Sequence, residues 1–254
     1  MALAKADIAA ILLAFTGKIT FLHCKLRVRV RFKVVLYRFS PLKSTLVYYV
    51  HMDIGNIVSF IIVMGCLLVA MTVHEFMHAY AGYKLGDTTA RDEGRISLNP
   101  IRHMDLFTTV LLPAFTWVFL HVLILAAKPV PFNPNRVRYG DMGAALIAFA
   151  GPLSNLVLAV LTSLLMHGVD AYSFTGELLA LFRQLNIALF VFNMIPVPPL
   201  DGSRVLYAFA PQPIREFMER IEPYGFFIVI ALVMLGGLGG IVGNINQSLL
   251  QLMP

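Results

Sequence analysis

Two histidines and a glutamate fall within five residues at His74-Glu75-Phe76-Met77-His78, near the end of an apolar run from Ile57 to Tyr80. On a helix, residues four apart project from one face, so both imidazoles can reach a single metal ion while Glu75 can take a proton from a water on that metal. Imidazole nitrogen suits Zn²⁺, and a catalytic zinc site takes three protein ligands and leaves a fourth position to water. A third ligand must therefore come from elsewhere in the chain. A pair of packed histidines is the plain alternative. It fares badly, because a carboxylate and two imidazoles in an apolar span are costly to bury unless they are paired or functional.

The stretch Phe192-Asn193-Met194-Ile195-Pro196-Val197-Pro198-Pro199-Leu200-Asp201-Gly202 follows directly on an apolar run from Leu178. Its prolines cannot continue a regular helix, so the chain must unwind at membrane depth, where only surrounding protein or a polar cavity makes that tolerable. Asp201 would complete a His/His/Asp site there, and Gly202 lets the backbone approach closely. An interfacial turn capping the next helix is the other reading of these residues taken alone; with His74 and His78 present, the ligand reading prevails. In Ala150-Gly151-Pro152-Leu153-Ser154-Asn155, the residues Ala148, Gly151, Pro152 and Asn155 recur at helical spacing, a stripe of small residues that lets a neighbouring helix come close. Pro152 frees the carbonyl of Ala148 for another partner. Asn155 is an amide in hydrocarbon that needs a partner and could donate to a developing oxyanion.

Composition sets these residues in a membrane: 58% of the chain is hydrophobic, 13% is charged, and the mean hydropathy is +0.77. Apolar stretches run about Ile57 to Tyr80, Leu106 to Ala127, Met142 to Met166, Leu178 to Ile195 and Tyr224 to Ile241. The expected fold is an all-α polytopic membrane protein, a helical transmembrane bundle with its zinc site inside the bilayer. Cys24 and Cys66 make no disulfide framework. The net charge of +6 comes from Lys and Arg clustered beside apolar spans, which points to membrane flanks and away from nucleic acid. His103 and His121 have no helically spaced partner and read as packing residues, and Arg183 as a residue that can snorkel.

HEFMH, AGPLSN and FNMIPVPPLDG, in that order, resemble the site-2 protease family of intramembrane zinc metalloproteases. The resemblance runs from about Ile54 to Ile221, and linking stretches such as GDTTARDEGRISLNPIRHMD and KPVPFNPNRVR look like the compact prokaryotic branch. It implies one Zn²⁺ held by His74, His78 and Asp201, Glu75 as general base and acid, and Asn155 and Asn193 as polar groups near the substrate backbone. It also implies a transmembrane protein substrate, already trimmed by another protease.

For the ligands to meet at one depth, the spans ending near Tyr80 and Ile195 must run the same way, which requires an odd number of crossings between them. Two candidates lie between, so the run from Leu106 to Ala127, broken by Pro113 and His121, is expected to be re-entrant or a shallow hairpin. Lys84, Arg91, Arg95, Arg102, Lys128, Arg136, Arg138, Arg204, Arg215 and Arg220 then share one face, expected to be cytoplasmic, while the loop from His167 to Gly176 has no Lys or Arg. Residues 52–254 are expected to form the protease domain and residues 1–51 an N-terminal extension. In that extension Lys25, Arg27, Arg29, Arg31, Lys33, Arg38 and Lys43 break the charge rule, and the alternation from Lys25 to Lys33 reads as an amphipathic strand or interfacial segment. It is either an addition upstream of a start at Met52 or a hairpin packed on the core.

The expected protein is a multi-pass enzyme of a prokaryotic cell membrane that hydrolyses peptide bonds within or next to transmembrane segments. A helical substrate hides its carbonyls in its own hydrogen bonds, so it must unwind locally. Two alternatives are a non-proteolytic membrane chaperone or transporter on the same fold, against which the intact Glu75 counts, and a membrane HExxH protease of another family, which would need a downstream Glu as its third ligand.

Overall fold

The computed structural model describes residues 57–120, 126–234 and 237–253. The expectations for residues 1–51 lie outside the described residues, as does His121. The chain divides into two units, 1–64 and 65–254; the described part of the first is the opening turns of helix α1, and everything below concerns the second.

Helix α1 (Ile57–Lys84) has 28 residues, no proline and no charged residue before Glu75, giving about 42 Å of helix against a hydrocarbon core of about 30 Å. It stops at a built signal. Gly86 takes φ 102°, its N–H donates to the Tyr83 carbonyl (3.2 Å), and the Asp87 N–H donates to the Gly82 carbonyl (3.0 Å), the paired bonds of a Schellman ending. Asp87 then receives N–H donors from Thr89 (3.0 Å) and Asn133 (2.6 Å) and the Thr89 hydroxyl (2.6 Å). Burial works to raise its pKa, but these hydrogen bonds and the charge of Arg136 outweigh it and hold the carboxyl below its ordinary value.

The two ends of the segment expected to be re-entrant or a shallow hairpin lie side by side. Asp105 caps its start by accepting the N–H groups of Phe107 and Thr108, both at 3.0 Å. Wide π-type turns over Leu106–Leu111 lead into α2, which is described over Leu112–Leu120. Pro113 has no N–H for the carbonyls behind it, and that of Thr108 accepts the returning Ala126 N–H (3.2 Å) instead. The Thr109 hydroxyl donates to the Ala126 carbonyl (2.9 Å) and the Lys128 N–H to that of His103 (3.0 Å). The two feet thus meet. Buried Arg95 ties them, donating to the carbonyls of Arg102, Lys128 and, at 3.0 Å, Pro129. His103 is buried and bonded to the Ser97 carbonyl, the packing role expected of it.

Among the described residues, α1, α3 (Gly140–Met166) and α4 (Phe174–Asn193) are the helices long enough and apolar enough to cross a membrane. Their surfaces are inverted relative to a soluble bundle. On α3, Leu146, Leu153, Val157, Leu161 and Leu164 point outward, whereas Ala148, Gly151, Ser154, Asn155, Thr162 and Ser163 are buried, small and polar residues holding the helix contacts as they do in lipid. Arg183, expected to snorkel, reaches the Ser163 hydroxyl at 3.4 Å.

After α4 the proline-rich loop leads to α5 (Asp201–Phe209) and the amphipathic α6 (Gln212–Ile221). In the fifth expected span, helix is described over α7 (Gly225–Met234) and α8 (Gly237–Leu252). Leu249 and Leu250 of α8 pack on the Ala159, Ile187 and Val191 core between α3 and α4.

One end of the bundle gathers the basic loops. The Arg138 N–H donates to the Leu85 carbonyl at 2.8 Å, and Arg215 pairs with Asp141 at 2.6 Å, joining the end of α1, the start of α3 and α6. With Cys24 and Cys66 replaced by serine, cysteines at exposed Leu98 and Asn135 are expected to label from the same side of a vesicle, and one at Tyr172, in the α3–α4 loop, from the other. Opposite labelling of Leu98→Cys and Asn135→Cys would turn the hairpin into a crossing.

Candidate metal centre

α1 turns His74 and His78 to one face, as their spacing requires, with rings edge to face at 84° and centroids 4.5 Å apart. The Nε2 atoms lie 2.9 Å from each other. α4, the proline-rich loop and α5 bring in Asp201, whose Oδ2 is 3.1 Å from His74 Nε2 and 3.3 Å from His78 Nε2. The loop can fold so tightly because residue 202 is glycine: a Cβ there would fall 2.3 Å from the Met194 carbonyl oxygen. The candidate ligand atoms of the three residues all lie within 4.8 Å of one another.

The far side of each ring decides what the near side can do. His74 Nδ1 lies 2.6 Å from Asn155 Oδ1, and His78 Nδ1 lies 2.7 Å from the Ile147 carbonyl oxygen. Both acceptors demand an N–H at Nδ1, so in the neutral rings both Nε2 atoms carry lone pairs. Two lone pairs and a carboxylate oxygen then converge on one small volume, which suits a divalent cation of borderline softness such as zinc. Hydrogen bonds of this kind are the outer support that metal-ligating histidines use.

The small-residue seam of α3 has a specific consequence here. A Cβ on Gly151 would fall 2.3 Å from His78 Nε2 and 2.7 Å from His74 Nε2. Only a glycine leaves the ligand face clear.

Glu75 is half-buried beside His74, near enough to His78 to act on it electrostatically. Among the described residues its carboxylate has no hydrogen-bond or salt-bridge partner. Asn155 is fully buried, with its oxygen toward His74 and its Nδ2 donating to Asn186 Oδ1 at 3.0 Å, so its contacts lie behind the histidine. Asn193 ends α4 and donates to the Leu189 carbonyl of its own helix at 2.9 Å. Asn186, fully buried on α4, is the site residue that motif reading missed. Its signal was an amide in an apolar helix seven residues before Asn193, on the same helical face. A cavity of about 310 Å³ lies on the basic side of the proline-rich loop, lined by Asp141, Pro198, Ser203, Arg204, Tyr207 and Glu222 among others.

Long apolar helices thus gather a carboxylate and two histidines at one place. The model of Peptidase family M50 matches residues 165–236. Three relatives share the description "Putative zinc metalloprotease". YwhC of Bacillus subtilis (strain 168) is 38% identical over 179 residues, 65% of this chain and 77% of the relative. Rip2 of Mycolicibacterium smegmatis is 29% identical over 184 residues, 69% and 67% respectively; Rip2 of Mycobacterium tuberculosis (strain H37Rv) is 29% identical over 183 residues, 69% and 66%. No solved structure matches. The chain belongs to peptidase family M50, the site-2 proteases, and is a membrane protein.

Proposed function

We propose that the chain is an intramembrane zinc metalloprotease in which His74 Nε2, His78 Nε2 and Asp201 hold one Zn²⁺ and Glu75 is the general base and acid. The convergence of the three ligand atoms inside a buried helical frame carries this reading. When bound, zinc supplies Lewis-acid chemistry to the scissile carbonyl and to water. The chain's own part is positional and protolytic. Asn155 and the Ile147 carbonyl hold the two imidazoles in the ligating tautomer. Glu75, without another partner among the described residues, is free to accept a proton from the attacking water and hand it to the leaving amine. The cavity beside Pro198 and Ser203 provides polar space for water on the basic side.

The substrates are transmembrane proteins, cleaved within or next to a membrane segment that unwinds locally to bare its carbonyls. The enzyme sits in a prokaryotic cell membrane with its basic loops cytoplasmic; the charge asymmetry of the loops and the bacterial relatives support this. Asn193, at the mouth of the proline-rich loop, is proposed to contact the substrate backbone, whereas the contacts of Asn155 support a role behind His74.

Metal analysis of the purified chain tests the assignment. One zinc per chain is expected, falling to background when His78→Ala and Asp201→Ala are combined. A full equivalent retained by that double variant would move the metal elsewhere.

A further inference from the structure

Behind His74 runs a chain of buried amides whose last member no motif assigns. Asn186 Nδ2 donates to the Phe182 carbonyl one turn earlier on α4, at 2.8 Å. Its Oδ1 accepts from Asn155 Nδ2 at 3.0 Å, and Asn155 Oδ1 faces His74 Nδ1 at 2.6 Å. Both asparagines are fully buried.

The direction of this chain is fixed at its far end. A backbone carbonyl can only accept, so Asn186 must turn its amide nitrogen to Phe182 and its oxygen to Asn155. Asn155 must then answer with its nitrogen and present its oxygen to His74. Facing an acceptor, His74 must carry its proton on Nδ1. A carbonyl on α4 thereby decides which nitrogen of a ring on α1 keeps a lone pair, through two amides that each have one workable orientation.

Without Asn186 that constraint weakens. The remaining acceptor for Asn155 Nδ2 is the Ala70 carbonyl at a long 3.4 Å. A flipped Asn155 amide would put its Nδ2 against His74 Nδ1 and favour the Nε2–H tautomer, which has no lone pair on the ligand face.

We propose that Asn186 is a positioning residue for the metal centre, locking the Asn155 amide in the orientation that holds His74 as a ligand through Nε2. The proposal rests on zinc ligation by His74. It assigns Asn186 no contact with substrate.

The test is zinc affinity of the metal-free full chain in detergent, read by competition with a chelator. Asn186→Ala and the space-filling Asn186→Leu are expected to weaken binding by about tenfold or more, the usual effect of losing outer-shell support. On an Asn155→Ala background the same changes are expected to shift affinity by less than about twofold, because the link they act through is gone. Asn186→Asp is expected to stay near wild type, since a buried neutral carboxyl can donate to Phe182 with one oxygen and accept from Asn155 with the other. A residue serving only the helix packing would lose affinity equally on both backgrounds, and that result overturns the proposal, as does wild-type affinity in Asn186→Ala. If Asn186→Ala does not fold, equal affinities of Asn186→Leu and Asn186→Asp would overturn it. His74→Ala separates the two levels. If it binds zinc as wild type does, ligation itself fails; if it loses zinc while Asn186→Ala does not, only the positioning role fails.

Discussion

Glu75→Gln is expected to abolish cleavage of a transmembrane reporter while the protein keeps one zinc per chain. Glutamine fills the same space as glutamate but cannot take a proton from water, and Glu75 lies outside the set of converging ligand atoms. Loss of a positioned general base costs roughly 10²–10⁴-fold in rate, and here the same group is also the acid for the leaving amine, which places the effect at the upper end. Single-turnover cleavage in reconstituted vesicles, alongside metal analysis of the same sample, reads both quantities. Residual turnover above about a tenth of wild type would remove Glu75 from the acid–base role. Loss of zinc in step with activity would instead make it a ligand.

The long elements and the pairing of His74 with His78 were legible because their signals are strong and local. Three apolar runs became α1, α3 and α4, and the spacing of His74 and His78 put both on one face. The re-entrant segment was legible for a different reason. The parity needed to bring His78 and Asp201 to one depth argued against a crossing, and the structure shows a matching local feature at Pro113, whose missing N–H leaves a carbonyl for the returning chain.

What was not legible is the set of contacts that depend on how the helices face each other. Pro152 pointed to the carbonyl of Ala148, yet the acceptor of His78 Nδ1 is the carbonyl of Ile147, one residue earlier. The rotation of α3 against α1 selects between them, and no one-dimensional pattern encodes it. The resemblance implied a place near the substrate for Asn155, and an amide in hydrocarbon must have a partner; the sequence could not say that the partner would be the His74 ring. Asn186 drew no attention, although the same reasoning applied to it. Two amides on different helices signify little separately and a great deal once they touch.

Gly151 is where sequence pattern and site geometry meet, and Gly151→Ala is expected to strip the zinc from the protein and with it the activity. Inside a helix, replacing glycine by alanine ordinarily stabilises by roughly 0.5–1 kcal/mol. Gly82 on α1 is such a position: an added Cβ would meet only Ile147 Cδ1, at 3.8 Å, so Gly82→Ala is expected to bind zinc and cleave as wild type does. At Gly151 the same methyl falls 2.3 Å from His78 Nε2, 2.5 Å from His78 Cε1 and 2.7 Å from His74 Nε2. The rings cannot swing aside without breaking their Nδ1 bonds. Nor can α3 withdraw, because the acceptors of those bonds, Ile147 and Asn155, ride on α3 itself. Relief on one side of each imidazole therefore costs support on the other, and the ligand set opens. Zinc content measured beside the thermal midpoint of the metal-free protein distinguishes this from general damage. Gly151→Ala should lose zinc with little change in that midpoint, and a variant that retains a full equivalent would refute the close approach of α3 to the two histidines.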